Sequence, residues 1–293
     1  MYDVDTGDVL SKSKVPTNHD DLGTCVSAAL RNVIDESDVS STQIDLVSVS
    51  TTLATNAIVE GAGRPAALIT VGFDDAALDR GGLRQVLGQD PVISLNGGHS
   101  SHGQEITDLD ISPLQRALRD IDHRVDAYAV VGTFSVRNPA HEQAVAEIIR
   151  VTTSKPVTCS HELSEQLNGP KRAVTALLNA RLIALTHDLL VAVEASMTAL
   201  GLTAPLMVVR GDGSLVSATF VRQRPIETIL SGPAASVLGA SVLGGVNDSV
   251  VADLGGTTTD VAVLAGGRPV FDVKGAVIGG HATMIDAIRV HTE

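Results

Sequence analysis

Along this chain short runs that are apolar throughout alternate with longer stretches whose apolar residues recur at helical spacing. The short runs predict strands over 44–50, 66–71, 127–131, 156–160, 206–209, 249–253 and 261–264. The longer stretches predict helices from Thr52 to about Gly61, then over 113–121, 139–151, 170–200 and 231–244. In the long helix Asn179 and Thr186 are weak points, and residues 72–103 read as a polar, glycine-rich stretch. Strand-then-helix units in series predict an α/β protein with sheets joined by right-handed crossovers, and no solenoid repeat is visible. A new series of elements starts with the long helix. This places a boundary between 161 and 180, giving an N-terminal domain over 1–165 and a second over 166–293.

Composition narrows the picture modestly. A length of 293 residues with 44% hydrophobic content suits one or two domains. Only 2% of residues are aromatic and none is Trp, so Ala, Val, Leu and Ile must build the cores, as in helix-covered parallel sheets. A formal net charge of −13 argues against nucleic acid or an anionic membrane as partner. Cys25 and Cys159 lie far apart without metal-ligand spacing and read as reduced thiols of a cytoplasmic protein. The N-terminus shows no basic-then-apolar signal pattern, and no apolar run is expected to reach membrane-spanning length.

The most chemically informative segment is Asp253-Leu-Gly-Gly-Thr-Thr-Thr-Asp260, set between two predicted strands. A glycine-rich strand-turn-strand places several backbone N–H groups in one concavity, where they and Thr hydroxyls suit phosphate oxygens. A carboxylate at each end, Asp253 and Asp260, suits a cation such as Mg²⁺. No Lys follows, and the second half predicts a strand, so this is not the phosphate loop that opens a helix. The Gly pair alone would fit an ordinary hairpin. Just before it, 230–244 reads as a small-residue helix with Ser231 as cap, Pro233 in the first turn, and Val237, Leu238, Val242 and Leu243 as its apolar stripe.

That order of elements resembles the actin-like ATPase superfamily, of ribonuclease H-like architecture. In detail the chain resembles the hydantoinase A/oxoprolinase family. The resemblance rests on Ser231-Gly-Pro-Ala234 with the segment Asp253 to Asp260, and on Thr51-Thr-Leu-Ala-Thr-Asn-Ala57, with Ser50 where Gly is usual. Asn138-Pro-Ala-His-Glu142, Ser160-His-Glu162, Arg172 to Ala180 and Arg210-Gly-Asp-Gly-Ser-Leu215 also have counterparts. The resemblance implies an ATP-dependent amidohydrolase that opens a cyclic amide, 5-oxoproline or a hydantoin, through phosphorylation of the amide oxygen. It implies ATP and Mg²⁺ as cofactors. Gly255, Gly256, Thr257 and Thr258 would hold phosphates, and Asp253, the catalytic candidate, would hold the metal with Asp260. Thr51, Thr52, Asn56, Arg210, Ser231 and Gly232 would border the substrate. A hydantoinase B-type subunit and an oligomer are the partners it allows. Other readings stay open: a non-catalytic subunit that packs with such a partner, or a ketone carboxylase subunit. The family opens with another Asp-x-Gly-Gly-Thr hairpin, whereas here Met1 to Leu10 reads as the hairpin after it, turning at Asp5-Thr-Gly-Asp8. The chain also stops before a glycine-rich adenosine loop. The expectation is an incomplete fold that alone binds ATP weakly or not at all.

Other motifs have simpler accounts. Helix capping explains Asn138-Pro139 with Glu142 nearby, and Ser160 reads as a cap. Thr51-Thr52 with Asn56 fits equally a helix start with a buried Asn and a ligand site. His99 and His102 lie three apart without Cys or a third nearby ligand, short of a zinc site.

Overall fold

Runs 66–71 and 127–132 are apolar on both sides of the pleat except at Thr70 and Gly132, and in the computed structural model they lie side by side as parallel strands buried at every position. The structure describes residues 1–16, 18, 22–245, 247–254 and 259–292. The sheet around this pair is all-parallel and ordered Val92–Leu95, Ala66–Val71, Ala127–Gly132, Val157–Cys159. Successive side chains of a strand point to opposite faces, and here each face has its own helical cover. Ala66, Leu68, Ala129 and Val131 pack with Val86 and Leu87, and with Ala173, Val174 and Leu177 of the helix Gly169–Ala199. Ala67, Ile69, Tyr128 and Val130 pack with Leu114 and Leu118 of Ser112–Ile121 and with Val145 and Ile149 of Ala140–Thr153.

The helix Gly169–Ala199, about 45 Å long at 1.5 Å per residue, ties this layer to a second sheet. There Val47–Val49 runs parallel to Leu206–Val209, which pairs antiparallel with Leu215–Ser217. Leu189, Val193 and Met197 of the long helix meet Val47 there, and Val26, Leu30 and Ile34 of the helix Leu22–Asp35 pack alongside. A third sheet holds the antiparallel strands Ser249–Leu254 and Thr259–Ala265, edged by Arg268–Pro269 and Val290–Thr292.

Several expectations change. The stretch 72–103 holds the short helices Asp75–Leu78 and Leu83–Leu87 and the edge strand Val92–Leu95, whose four residues alternate exposed and buried. Neither Asn179 nor Thr186 interrupts the long helix, because both side chains are buried and the Asn179 amide bonds groups outside it. By length and composition that helix could cross a membrane, contrary to the sequence expectation. Its burial against two sheets, with Arg172 and Asn179 inside, makes it a core helix. At the N-terminus Tyr2 and Val9 form an isolated antiparallel bridge around a turn with Gly7 at φ +78°.

Candidate functional site

The strands Ser249–Leu254 and Thr259–Ala265 form a hairpin in which Asp253 stands opposite Asp260 and Leu254 opposite Thr259. Gly255, Gly256, Thr257 and Thr258, expected to hold phosphates, lie outside the described residues. Directly opposed residues share one face of a sheet, with Cβ atoms about 5 Å apart, and like charges there repel. An oxygen-seeking divalent cation relieves that repulsion, so the donor set fits Mg²⁺. Asp253 and Asp260 lie on the same face as Val251, Ala262 and Leu264, which pack with Ala234 and Val237 of the helix Ser231–Gly244. That helix also delivers the Ser236 hydroxyl, which donates to Asp253 Oδ2 at 2.7 Å. Its buried contacts come from Ala234 and Val237, while Val242 and Leu243 of the expected stripe are exposed.

The start of that helix meets the start of the helix Leu53–Val59. Ser231 does not cap its own helix. Leu230 takes the cap position at φ +58°, and the Ser231 hydroxyl bonds the Thr51 backbone, donating to its carbonyl at 2.9 Å and accepting from its N–H at 3.2 Å. Leu230 N–H donates to Thr55 Oγ1 at 3.0 Å. A Cβ on Gly232 would lie 3.3 Å from the Thr52 methyl, so the two chains pass closely. Asn56 sits one turn on, its amide 3.4 Å from Thr52 Oγ1. The fold thus brings together Thr51, Thr52, Asn56, Ser231 and Gly232. Arg210 is engaged elsewhere: its guanidinium donates twice to Glu227 Oε2, at 3.0 and 2.5 Å, and lies 3.0 Å from Asp212.

A second polar cluster, not foreseen from the residues, sits at the carboxyl ends of the parallel strands. Glu142 is fully buried, and its Oε1 accepts from Gly132 N–H at 2.7 Å and Ser160 Oγ at 2.6 Å. Its Oε2 accepts from the backbone N–H of His161 at 3.1 Å and pairs with His161 Nδ1 at 2.5 Å. Burial pushes this carboxyl up, but the hydrogen bonds from His161, Ser160 and Ser135 outweigh it and hold it below the usual range. Arg172 completes the cluster: Nε donates to Ser160 Oγ, Nη2 to Gly132 O and Ser135 Oγ, and Nη1 to Gln166 O. Ser160 and Glu142 therefore serve this network rather than cap helices. Their motifs were visible in sequence, but their convergence is tertiary.

Nearby, Gly98 N–H donates to His141 Nδ1 at 3.1 Å, which leaves the His141 Nε2 proton for Glu105 at 2.7 Å. His99 rests on the His141 ring at 4.2 Å between centroids, and burial, then His141, hold it below its ordinary value. Glu142, Cys159 and His161 each offer a metal-ligand atom within 4.8 Å of the others. Burial and the neighbouring Glu142 and Glu162 push the Cys159 thiol up, and both Glu142 oxygens already carry hydrogen bonds. That chemistry suits a hydrogen-bonded network better than a thiolate metal centre.

Comparison with known proteins gives two family matches: the hydantoinase/oxoprolinase N-terminal region over residues 1–153 and hydantoinase/oxoprolinase over residues 172–292. Caprolactamase subunit alpha of Pseudomonas jessenii is 27% identical over 247 residues, covering 78% of this chain and 36% of that protein. Acetophenone carboxylase gamma subunit of Aromatoleum aromaticum is 27% identical over 253 residues, covering 76% of this chain and 34% of that protein. The crystal structure of ATP-dependent caprolactamase from Pseudomonas jessenii superposes with a TM-score of 0.80 at 25% identity, covering 96% of this chain and 44% of that one. The chain spans about a third of the length of these curated relatives.

Proposed function

We propose, because this chain belongs to the hydantoinase/oxoprolinase family and has the α/β actin-like ATPase fold over part of its relatives' length, that it is part of a subunit of an ATP-dependent enzyme acting on a small amide or ketone. The observation that carries this reading is the Asp253–Asp260 pair, opposed at the base of a four-residue Gly-Gly-Thr-Thr link and tethered through Ser236. Asp253 and Asp260 would hold Mg²⁺ directly or through water, and Gly255, Gly256, Thr257 and Thr258 would hold phosphates. ATP, when bound, supplies a phosphoryl group that turns an unreactive carbonyl oxygen into part of a better electrophile. The chain's own residues position and neutralise. Thr51, Thr52, Asn56 and Gly232 form the wall proposed to face substrate, held in place by the buried Ser231, while Arg210 is taken up by Glu227 and Asp212.

The subunit reading draws support from two sources. Two of the curated relatives are named as subunits. The hairpin's outer face also leaves the cross-strand pair Val250 and Val263 exposed, as a surface that a neighbour covers would be. A hydantoinase B-type subunit is the partner proposed. Ring opening of a cyclic amide is supported by the caprolactamase relative and ketone carboxylation by the acetophenone carboxylase relative. The division into 1–165 and 166–293 and a cytoplasmic location belong to the same proposal, the former supported by the long helix opening at Gly169, the latter by two free cysteines.

The test is ATP turnover by the chain assembled with its partner subunit, with a lactam, a hydantoin or a ketone plus bicarbonate as substrate. Product analysis separates hydrolysis from carboxylation. Asp253→Asn is expected to reduce turnover about 100-fold or more with an unchanged circular dichroism spectrum. Unchanged turnover rejects the assignment. Micromolar binding of Mg-ATP by the 293-residue chain alone, measured by titration calorimetry, would count against a purely non-catalytic subunit.

A further inference from the structure

We infer that a cleft at the carboxyl ends of strands Ala66–Val71 and Ala127–Gly132 binds a small anion with an apolar body, a carboxylate or a phosphate ester. The inference is independent of the nucleotide reading, and the cleft's lining shares no residue with the hairpin or with the Thr51–Ser231 junction.

Topology places the cleft. In chain order the sheet runs second, first, third, fourth strand, so the connections leave the first strand in one direction and the third in the other. In open α/β sheets ligands bind in the crevice that such a reversal opens between the carboxyl ends of the two adjacent strands. Here those strands end at Val71 and Gly132, and the next residues, Gly72 and Thr133, both line a cavity of about 610 Å³. That volume is typical of small-molecule sites. Gly72 has φ +72°, and a Cβ there would fall 2.6 Å from the Gly97 carbonyl oxygen and 2.7 Å from Thr133 Oγ1. Only glycine lets these segments close on one another at the head of the cleft.

Chemistry selects the ligand. Phe73, Leu167 and Pro170 give the cleft apolar walls, and Arg172 supplies a buried cation. A guanidinium has five N–H groups, and four hydrogen bonds are formed by Arg172, one of them by Nη1. One Nη1 proton is therefore left without a partner among the described residues. Glu142, behind Arg172, has both oxygens engaged by Gly132, Ser160 and His161. Arg80 also lines the cleft, ion-paired with Asp74 at 3.7 Å but largely exposed, so with Glu142 as the counter-charge of Arg172 what the cleft offers an anion is the Nη1 proton and the Arg80 head. Two non-glycine residues with left-handed backbone, Phe134 at φ +52° and Asn168 at φ +102°, also line it, and strain of this kind gathers at ligand sites.

Calorimetric titration of the 293-residue chain with benzoate and phenyl phosphate, with benzamide as the uncharged counterpart, tests the inference. One or both anions are expected to bind about tenfold or more tightly than benzamide, as a charge-assisted hydrogen bond implies. The tighter of the two identifies the headgroup. Arg80→Gln should weaken the anion several-fold and leave benzamide unchanged, Leu167→Trp should block all three, and Arg172→Lys should cost the anion about tenfold. If Arg172→Lys fails to fold, the surface variants still decide. The inference is overturned if neither anion binds, if benzamide binds as tightly, or if Arg80→Gln and Leu167→Trp both leave affinity unaltered.

Discussion

The Ser231 hydroxyl and the Thr51 peptide, 180 residues apart in sequence, satisfy each other in both directions, O–H to carbonyl at 2.9 Å and N–H to hydroxyl at 3.2 Å. Ser231 is fully buried. Ser231→Ala leaves the Thr51 N–H without this partner and should lower unfolding free energy by about 1–3 kcal/mol. Urea denaturation measures the loss. A change under 0.5 kcal/mol, roughly the scale of a surface substitution, would show that the junction is not coupled to folding.

Asn179 repeats this logic in the middle of the long helix. Its amide donates to Thr158 Oγ1 at 2.9 Å and to the Gln223 carbonyl at 3.0 Å, while its oxygen accepts from Ile226 N–H at 3.1 Å. One side chain thereby ties the helix to an outer strand of the first sheet and to the turn 225–228. Asn179→Ala exposes three polar groups to a void and should cost about 3 kcal/mol or more. Asn179→Asp should also destabilise at neutral pH, since a carboxylate can donate to neither acceptor. Hydrogen exchange at Ile226 should accelerate most in Asn179→Ala, which removes its acceptor, and less in Asn179→Asp, which keeps one.

These examples mark how far the sequence could be read. Strands 66–71, 127–132 and 206–209 were legible because nearly every position is apolar, which only burial on both faces demands. Val92–Leu95 was not, since an edge strand of four residues between Gly88 and Gly97 has too few positions to establish a period. The hairpin 249–265 and its two aspartates followed from local pattern. Glu142, Ser160 and Arg172 were visible as residues, but helix capping was the simpler account of the motifs that hold the first two, and nothing local says that partners 18 and 12 residues apart share one network. Polar residues that look like breakers or caps are ambiguous until their tertiary partners are known.

At the end of the helix Ala140–Thr153, Ser154 adopts the left-handed conformation, φ +58° and ψ +15°, with its N–H bonded to the Arg150 carbonyl. It is exposed. Glycine reaches this conformation without the steric penalty of a Cβ, so Ser154→Gly should stabilise the chain by about 0.5–1 kcal/mol after its greater freedom in the unfolded state is allowed for. A rise in urea midpoint at unchanged slope is the expected signature. A fall would mean that the hydroxyl contributes more than its backbone costs.

Glu142 makes the stability of the chain sensitive to acid. Burial raises its carboxyl, and the donors from His161, Ser160 and Ser135 overcome that, so its folded value lies below the ordinary 4.5. A folded value below the unfolded one contributes stability that is complete above the unfolded value and is lost as pH falls through the folded one. Stability should therefore decline below about pH 4.5 through this group. Glu142→Gln removes the titrating carboxyl and leaves Arg172 without its buried counter-charge, which should cost about 3–5 kcal/mol at pH 7. The gap between parent and variant should narrow as pH is lowered from 5 towards 3, because the parent alone loses this contribution. Urea midpoints of both proteins across that range would show it. A gap that stays constant would mean that Glu142 holds the cluster by shape and neutral hydrogen bonds, with no part for its charge.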